Sequence, residues 1–354
     1  MSRFFSSKYD KLKPYVPGEQ PRDRSYIKLN TNESPFPPSP KAVAYAAEAA
    51  KNVQLYCDPE CTVLVEKLAE IKGLKPTQVL LGNGSDETLY LAFLAYCDQD
   101  TPAIFPDITY GFYKVFAEAL NLPYVTVPLE EDFSIDHRAY LNCGKTVFIA
   151  NPNAPTGQLL RLSQIKEIAD SNPHNAVIID EAYIDFGGES AIALLDSCEN
   201  LLVTQTFSKS RSLAGGRLGM IFGSEAMISD LKTVKYSINP YNVNTMTQAA
   251  GLGALEDEAY TVANCEVIKE NRSFTTEKLR ALGFCVADSY ANFVLAAHPK
   301  VSGGDLYGKL KQRGILVRYF DTDRLRPYVR ITIGTKQEMV KLLAAVREIL
   351  EEAP

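Results

Sequence analysis

The sequence predicts an α/β protein: a large domain on a doubly wound, mostly parallel sheet, then a smaller C-terminal α+β domain, with an N-terminal arm in front. Three observations carry this. Segments with apolar residues spaced at three and four alternate with short, unbroken apolar runs rich in Val and Ile, which is how helices and strands covered on both faces read. The texture changes after about residue 245, where a long helical stretch leads into alternating segments and a final helix. The 354 residues also exceed the ~150 of one typical domain.

The elements follow in order. Pro14, Pro17, Pro21, Pro35, Pro37, Pro38 and Pro40 break up the first forty residues, so residues 1–28 are expected as an extended arm that needs a surface to lie on. Helical periodicity falls at 41–52, 62–72 and 86–97. Apolar runs fall at 79–81, 102–105, 124–127, 146–150, 176–180, 201–207 and 219–223, giving a large domain over 29–245. In the remainder, 246–354, a long helical stretch precedes FCVADSYANFVLAA, ILVRYF and VRITIG.

Composition narrows the function. Lys plus Arg number 37 against 43 Asp plus Glu, a net charge of −6, so no global positive field attracts nucleic acid or anionic lipid, and any anion must be caught locally. Apolar runs stay far short of the ~20 residues of a membrane span, and the N-terminus has no apolar stretch of signal-peptide length, which places the chain in the cytoplasm. Seven Cys without a CxxC pair read as buried or incidental thiols. Three histidines argue against a multi-histidine metal centre and against a histidine base.

The chemistry-bearing residues fall just after the expected strands. Gly82 and Gly84 precede a helix opened by Ser85 and Asp86; this is either a tight turn or an anion site made of free amides at a helix start. Asn151, Pro152, Asn153, Ala154, Pro155, Thr156 and Gly157 form a rigid turn able to aim an amide at a ligand, or serve only as a turn. Asp180 ends an apolar strand, with Tyr183 three residues on; buried there, it needs a cation or a hydrogen-bond donor unless it merely caps the next turn. Lys209 follows another apolar strand between Ser208 and Ser210, with Arg217 eight residues later; an amine so placed suits attack on a carbonyl. Arg313, Arg318, Arg324, Arg326 and Arg330 form a basic cluster, in which Arg324 and Arg326 are expected on a solvated loop.

Together these runs resemble the fold type I pyridoxal-phosphate enzymes of the aminotransferase superfamily. KLNTNESPFPPSP at 28–40, LYCDP around Tyr56, GNGSDE, FPDITYGFY, NPNAPTG, DEAYIDF, TFSKSRSLAGGRLG and VRITIG stand in the order of its histidinol-phosphate aminotransferase family. The resemblance implies pyridoxal 5'-phosphate as cofactor, with Lys209 binding it and moving the proton, Asp180 paired with the ring nitrogen, Tyr183 on the ring oxygen and Tyr110 on the ring face. It implies a phosphate held by Gly84, Ser85, Asp86, Ser208 and Arg217, with Tyr56 reaching the partner's cofactor across a homodimer. Arg330 and Arg318 would take substrate anions, and Asn30 and Glu33 would line the substrate pocket. The implied reaction moves the amine of L-histidinol phosphate to 2-oxoglutarate; a threonine-phosphate decarboxylase or an aromatic amino-acid aminotransferase remains the alternative. One position departs from the family pattern NPNNPTG: Ala154 replaces an asparagine, so Asn153 is expected to turn in, or Tyr183 to act alone.

Overall fold

The computed structural model describes residues 2–9 and 12–352. In chain order the elements are β1 (Ile27–Leu29), α1 (Pro40–Ala49), α2 (Thr62–Lys72), β2 (Val79–Gly82), α3 (Ser85–Tyr96), β3 (Ala103–Pro106), α4 (Phe112–Ala119) and β4 (Tyr124–Val127). Then come β5 (Thr146–Ala150), α5 (Leu162–Ser171), β6 (Val177–Asp180), β7 (Leu201–Thr206), β8 (Gly219–Phe222), α6 (Glu225–Ile238) and α7 (Thr245–Leu255). The chain closes with α8 (Glu258–Ala281), β9 (Cys285–Val286), β10 (Phe293–Ala297), α9 (Gly303–Gln312), β11 (Ile315–Tyr319), β12 (Tyr328–Thr332) and α10 (Lys336–Glu351). No described helix is long and apolar enough to cross a membrane.

The large sheet has the order β2-β8-β7-β6-β5-β3-β4. Its pairs are parallel except those of β8, which runs against both β2 and β7. Two reversals cancel, so β2 points the same way as β7, β6, β5 and β3, and all five end at one edge. The unbroken apolar runs have a direct cause. Along β5 to β7, Val147, Ile149, Val177, Ile179, Leu201 and Val203 pack into one core, while Phe148, Ile178 and Leu202 pack into another on the opposite face. Both faces are covered, so period two produces no polar positions.

The second sheet has the order β1-β11-β12-β10-β9, with β1 parallel to β11 and the other pairs antiparallel. Two expected boundaries move. Residues 27–29 are not the end of an arm and the start of the large domain: Ile27, Lys28 and Leu29 pair with Ile315, Leu316 and Val317 of the small-domain sheet. The domain change also falls after α7, not at 245, because Ala250, Ala254 and Leu255 belong to the large-domain core. Gly253 makes that packing possible, since a Cβ there would lie 2.6 Å from the Lys41 carbonyl oxygen at α1. Part of the arm lies on the protein: Tyr15 stacks on Phe112 at 4.3 Å, and the Glu19 carbonyl accepts from Asn30 Nδ2 at 2.8 Å. All seven Cys are free thiols; Cys61, Cys97, Cys198 and Cys265 are buried, and Cys285 is exposed.

Candidate active site

At the shared strand edge, a cavity of about 380 Å³ is lined by Ser85, Asp86, Tyr110, Asp180, Lys209 and Arg217, among others. It opens into a second space of about 830 Å³, which Tyr15, Asn30, Arg318, Phe320 and Arg330 help line.

The floor of the first cavity is a helix start. Gly84 caps α3 at φ 81° with no side-chain cap, so the first amides of the helix are left for an anion. The fit is tight: a Cβ on Gly84 would lie 2.5 Å from Arg217 Nη2, and one on Gly219 would lie 2.4 Å from the Ser85 nitrogen. Arg217 donates to Asp86 Oδ2 at 2.8 Å, and the Tyr110 hydroxyl donates to Asp86 Oδ1 at 2.5 Å. Asp86 therefore holds both the arginine and the aromatic plate by its carboxylate, a role that spacing alone did not reveal.

Asp180 at the end of β6 is buried and has no ion pair among the described residues. Burial pushes its carboxyl up to about 6, although the Tyr113 hydroxyl (2.9 Å) and the Ala182 amide (3.2 Å) pull the other way by donating to it. Glu181 beside it is also raised, to about 7 by burial; Ser190, the Ala191 amide and Gln205 hold it away from the cavity. Lys209 forms no ion pair either; its Nζ lies 3.4 Å from the Thr31 carbonyl and 5.7 Å from the Tyr183 ring centroid. Ser208 is buried, its amide donating to Thr206 Oγ1 at 3.1 Å.

Asn153 does not turn in. Its Nδ2 donates to the Ile108 carbonyl at 2.9 Å and to Thr156 Oγ1 at 3.1 Å, and its Oδ1 accepts from Thr109 at 2.7 Å. The side chain pins the loop that carries Tyr110, and the Ala154 methyl faces the cavity instead. Tyr56 is 84 % exposed and stacks on Tyr241 at 4.6 Å, outside its own chain's cavity.

In the second space Arg330 is half-buried, its Nε is enclosed and unpartnered among the described residues, and desolvation lowers its proton affinity. Its Nη2 donates to the Asn30 carbonyl at 3.1 Å, and its guanidinium lies 5.2 Å and 5.6 Å from the rings of Phe293 and Phe320. Arg318 is its cross-strand neighbour and donates to the Val16 and Pro17 carbonyls at 2.9 and 3.1 Å. Two arginines opposite each other repel, and no described carboxylate pairs with either, so an anion between them would be strongly held. Asn30 reaches this space, while Glu33 lines the first cavity. Burial opposes ionisation of Glu33, but Lys28 Nζ at 2.8 Å and Thr31 Oγ1 at 2.7 Å outweigh it and hold the carboxyl below its usual range. Of the remaining arginines, Arg313 pairs with Glu348 and Glu352, and Arg326 with Asp321 in solvent. Arg324 is not merely solvated: it staples the Leu129 and Glu130 carbonyls at 2.8 and 2.6 Å. Sequence reasoning missed Tyr15, Asn32 and Tyr113, whose roles come from long-range contacts.

Anion-ready amides, an unpaired buried carboxylate and a free amine in one cavity define an α/β enzyme built for a phosphorylated, protonatable ring. The comparisons agree. The class I and II aminotransferase family matches residues 24–346, and the chain belongs to that family. It is 46% identical over 353 residues to a histidinol-phosphate aminotransferase of Brachyspira hyodysenteriae, covering 99% of this chain and 100% of that one. It is 45% identical over 351 residues to another from Clostridium acetobutylicum, again covering 99% and 100%. A histidinol-phosphate aminotransferase of Sinorhizobium meliloti, solved in complex with pyridoxal-5'-phosphate, shares the fold at a TM-score of 0.89 and 23% identity, covering 99% of this chain and 98% of that one.

The cofactor of the family, pyridoxal 5'-phosphate, fits the residues present: the amides of α3 and Arg217 suit its phosphate, and the buried Asp180 lacks only a cationic partner such as a protonated ring nitrogen. Tyr113→Phe tests the carboxylate's setting. Losing a hydrogen bond worth about 1 kcal/mol should raise the Asp180 pKa by about 0.7 unit. The acid-side midpoint of cofactor affinity in cofactor-free protein then moves up by that amount, as a fluorescence titration between pH 5 and 8 would show. Because burial raises the Asp180 carboxyl from an ordinary 3.8 to about 6, the group makes stability fall as pH rises from about 4 to 6.

Proposed function

We propose that this protein transfers the amine of L-histidinol phosphate to 2-oxoglutarate, yielding imidazole-acetol phosphate and L-glutamate. Pyridoxal phosphate, when bound, supplies an electrophilic carbonyl and a ring that accepts electrons from the substrate carbon. The chain's own residues do the rest. Lys209 would hold the cofactor, and its free Nζ would be the base that moves the substrate proton, a task that leaves no need for a histidine. With the cofactor bound, Asp180 would keep the ring nitrogen protonated, Tyr183 would donate to the ring oxygen, Tyr110 would cover the ring, and Gly84, Ser85, Asp86, Ser208 and Arg217 would hold the phosphate.

The observation that carries the substrate reading is the Arg330 and Arg318 pair, facing each other across strands with no carboxylate partner among the described residues. Arg330 would take the substrate phosphate in one half-reaction and a carboxylate of 2-oxoglutarate or glutamate in the other. Full-length relatives named for histidinol phosphate support that donor over the decarboxylase and aromatic alternatives. We further infer a homodimer in which the exposed Tyr56, beside exposed Val53 and Leu55, reaches the partner's cofactor phosphate. The test uses holoenzyme whose solution mass is first shown to be that of two chains. L-histidinol phosphate with 2-oxoglutarate should yield glutamate, whereas release of carbon dioxide, or faster turnover of unphosphorylated aromatic amines, would overturn the reading.

A further inference from the structure

We propose that Asn32 is a positioning residue that fixes the direction in which Tyr183 donates its hydroxyl proton, turning it toward the cofactor ring. This rests on the placement of Tyr183 at the ring oxygen proposed above. Asn32 is buried and holds a left-handed backbone at φ 56°, which asparagine tolerates better than most residues with a side chain. Its Nδ2 stands 2.9 Å from the Tyr183 hydroxyl oxygen.

The neighbours decide which way this amide faces. Thr332 Oγ1 accepts from the Asn32 backbone amide at 3.0 Å, so the single Thr332 proton is free for Asn32 Oδ1, also at 3.0 Å. With Oδ1 taking that proton, Nδ2 faces Tyr183; the flipped amide would leave the buried Thr332 hydroxyl proton without an acceptor among the described residues. Asn292 Nδ2 anchors the Asn32 carbonyl at 3.0 Å. A phenol has one proton, and its oxygen already receives the Asn32 amide. The proton must therefore point elsewhere, and the open side of the hydroxyl is the cavity shared with Lys209 and Ala154, whose methyl offers no partner. Thr332 and Asn292 belong to the small domain and Tyr183 to the large one, so the proton's direction depends on how the two domains seat.

A donor at the ring oxygen favours the anionic form of that oxygen, so losing it raises the pH at which the holoenzyme's visible absorption band titrates. Asn32→Asp keeps the size and the backbone preference but exchanges the donor for an acceptor, and Tyr183 then gives its proton to the new carboxylate. The midpoint should rise by at least about 0.5 unit, in the same direction as in Tyr183→Phe, and the double variant should match Tyr183→Phe alone. That non-additivity separates the proposal from a plain charge effect, which would persist without the phenol hydroxyl. Asn32→Gly, which suits the positive φ and adds no charge, should move the midpoint the same way by less, and it serves if the aspartate variant fails to load. An unmoved midpoint in both Asn32 variants with a shifted Tyr183→Phe, even if thermal stability falls, overturns the role of Asn32 and leaves that of Tyr183 standing. Additive shifts overturn it too. No shift in Tyr183→Phe removes the placement of Tyr183 and this inference with it.

Discussion

Lys209→Ala will lower turnover by at least about 10²- to 10⁴-fold, the share that a positioned general base alone contributes, while the protein stays folded. The two halves of this expectation come from the same geometry. Lys209 Nζ has one long contact, 3.4 Å to the Thr31 carbonyl, and no carboxylate partner among the described residues, so its loss leaves no buried charge unpaired and breaks no strong hydrogen bond. A thermal midpoint within a few degrees of the native value should follow. Borohydride should fix the cofactor covalently to the native chain and not to the variant. Fixation at a different lysine of the variant, or turnover within tenfold of native, would remove Lys209 from the reaction.

The residues around Lys209 were readable because each sits at a strand end, where an apolar run stops abruptly at a polar residue. Asp180 closing VIID, Lys209 after LLVTQT and Ser85 after VLLG are all of this kind. Strands buried on both faces leave their carboxyl ends as the places where polar side chains converge, and an adjacent-strand order brings them together. What spacing could not show was the direction of side chains within irregular segments. Asn153 and Ala154 are neighbours in a turn, and only the hydrogen bonds of Asn153 to Ile108, Thr109 and Thr156 decide which faces the cavity. Asn32 and Tyr113 depend on partners 151 and 67 residues away. The change of domain falls about ten residues beyond 245 for a related reason. The helix Thr245–Leu255 is rich in small residues that carry little amphipathic signal, and its allegiance is set by close approach to α1.

Arg330→Met will lower kcat/KM by about 10²- to 10³-fold for the amino donor and for 2-oxoglutarate alike, yet it will not destabilise the ligand-free protein. Removing one member of a buried charge pair costs about 3–5 kcal/mol in the complex, and each 1.4 kcal/mol is tenfold; incomplete burial of the substrate anion keeps the expected loss at the lower part of that range. In the ligand-free protein the account runs the other way. Arg330 is half-buried with its Nε enclosed and unpartnered among the described residues, desolvation lowers its proton affinity, and Arg318 lies opposite it across the strands. Methionine keeps an apolar side chain beside Phe293 and Phe320, whose rings the guanidinium approaches, and removes a partly desolvated, repelled charge, so the thermal midpoint should hold or rise. Thermal unfolding and steady-state kinetics in each substrate check both signs. A drop in stability with intact kinetics would make Arg330 a structural residue, and a loss confined to one substrate would mean that the two half-reactions use different arginines. A side chain whose removal stabilises the empty protein and weakens both substrates is held in place for its ligands, against the preference of the fold.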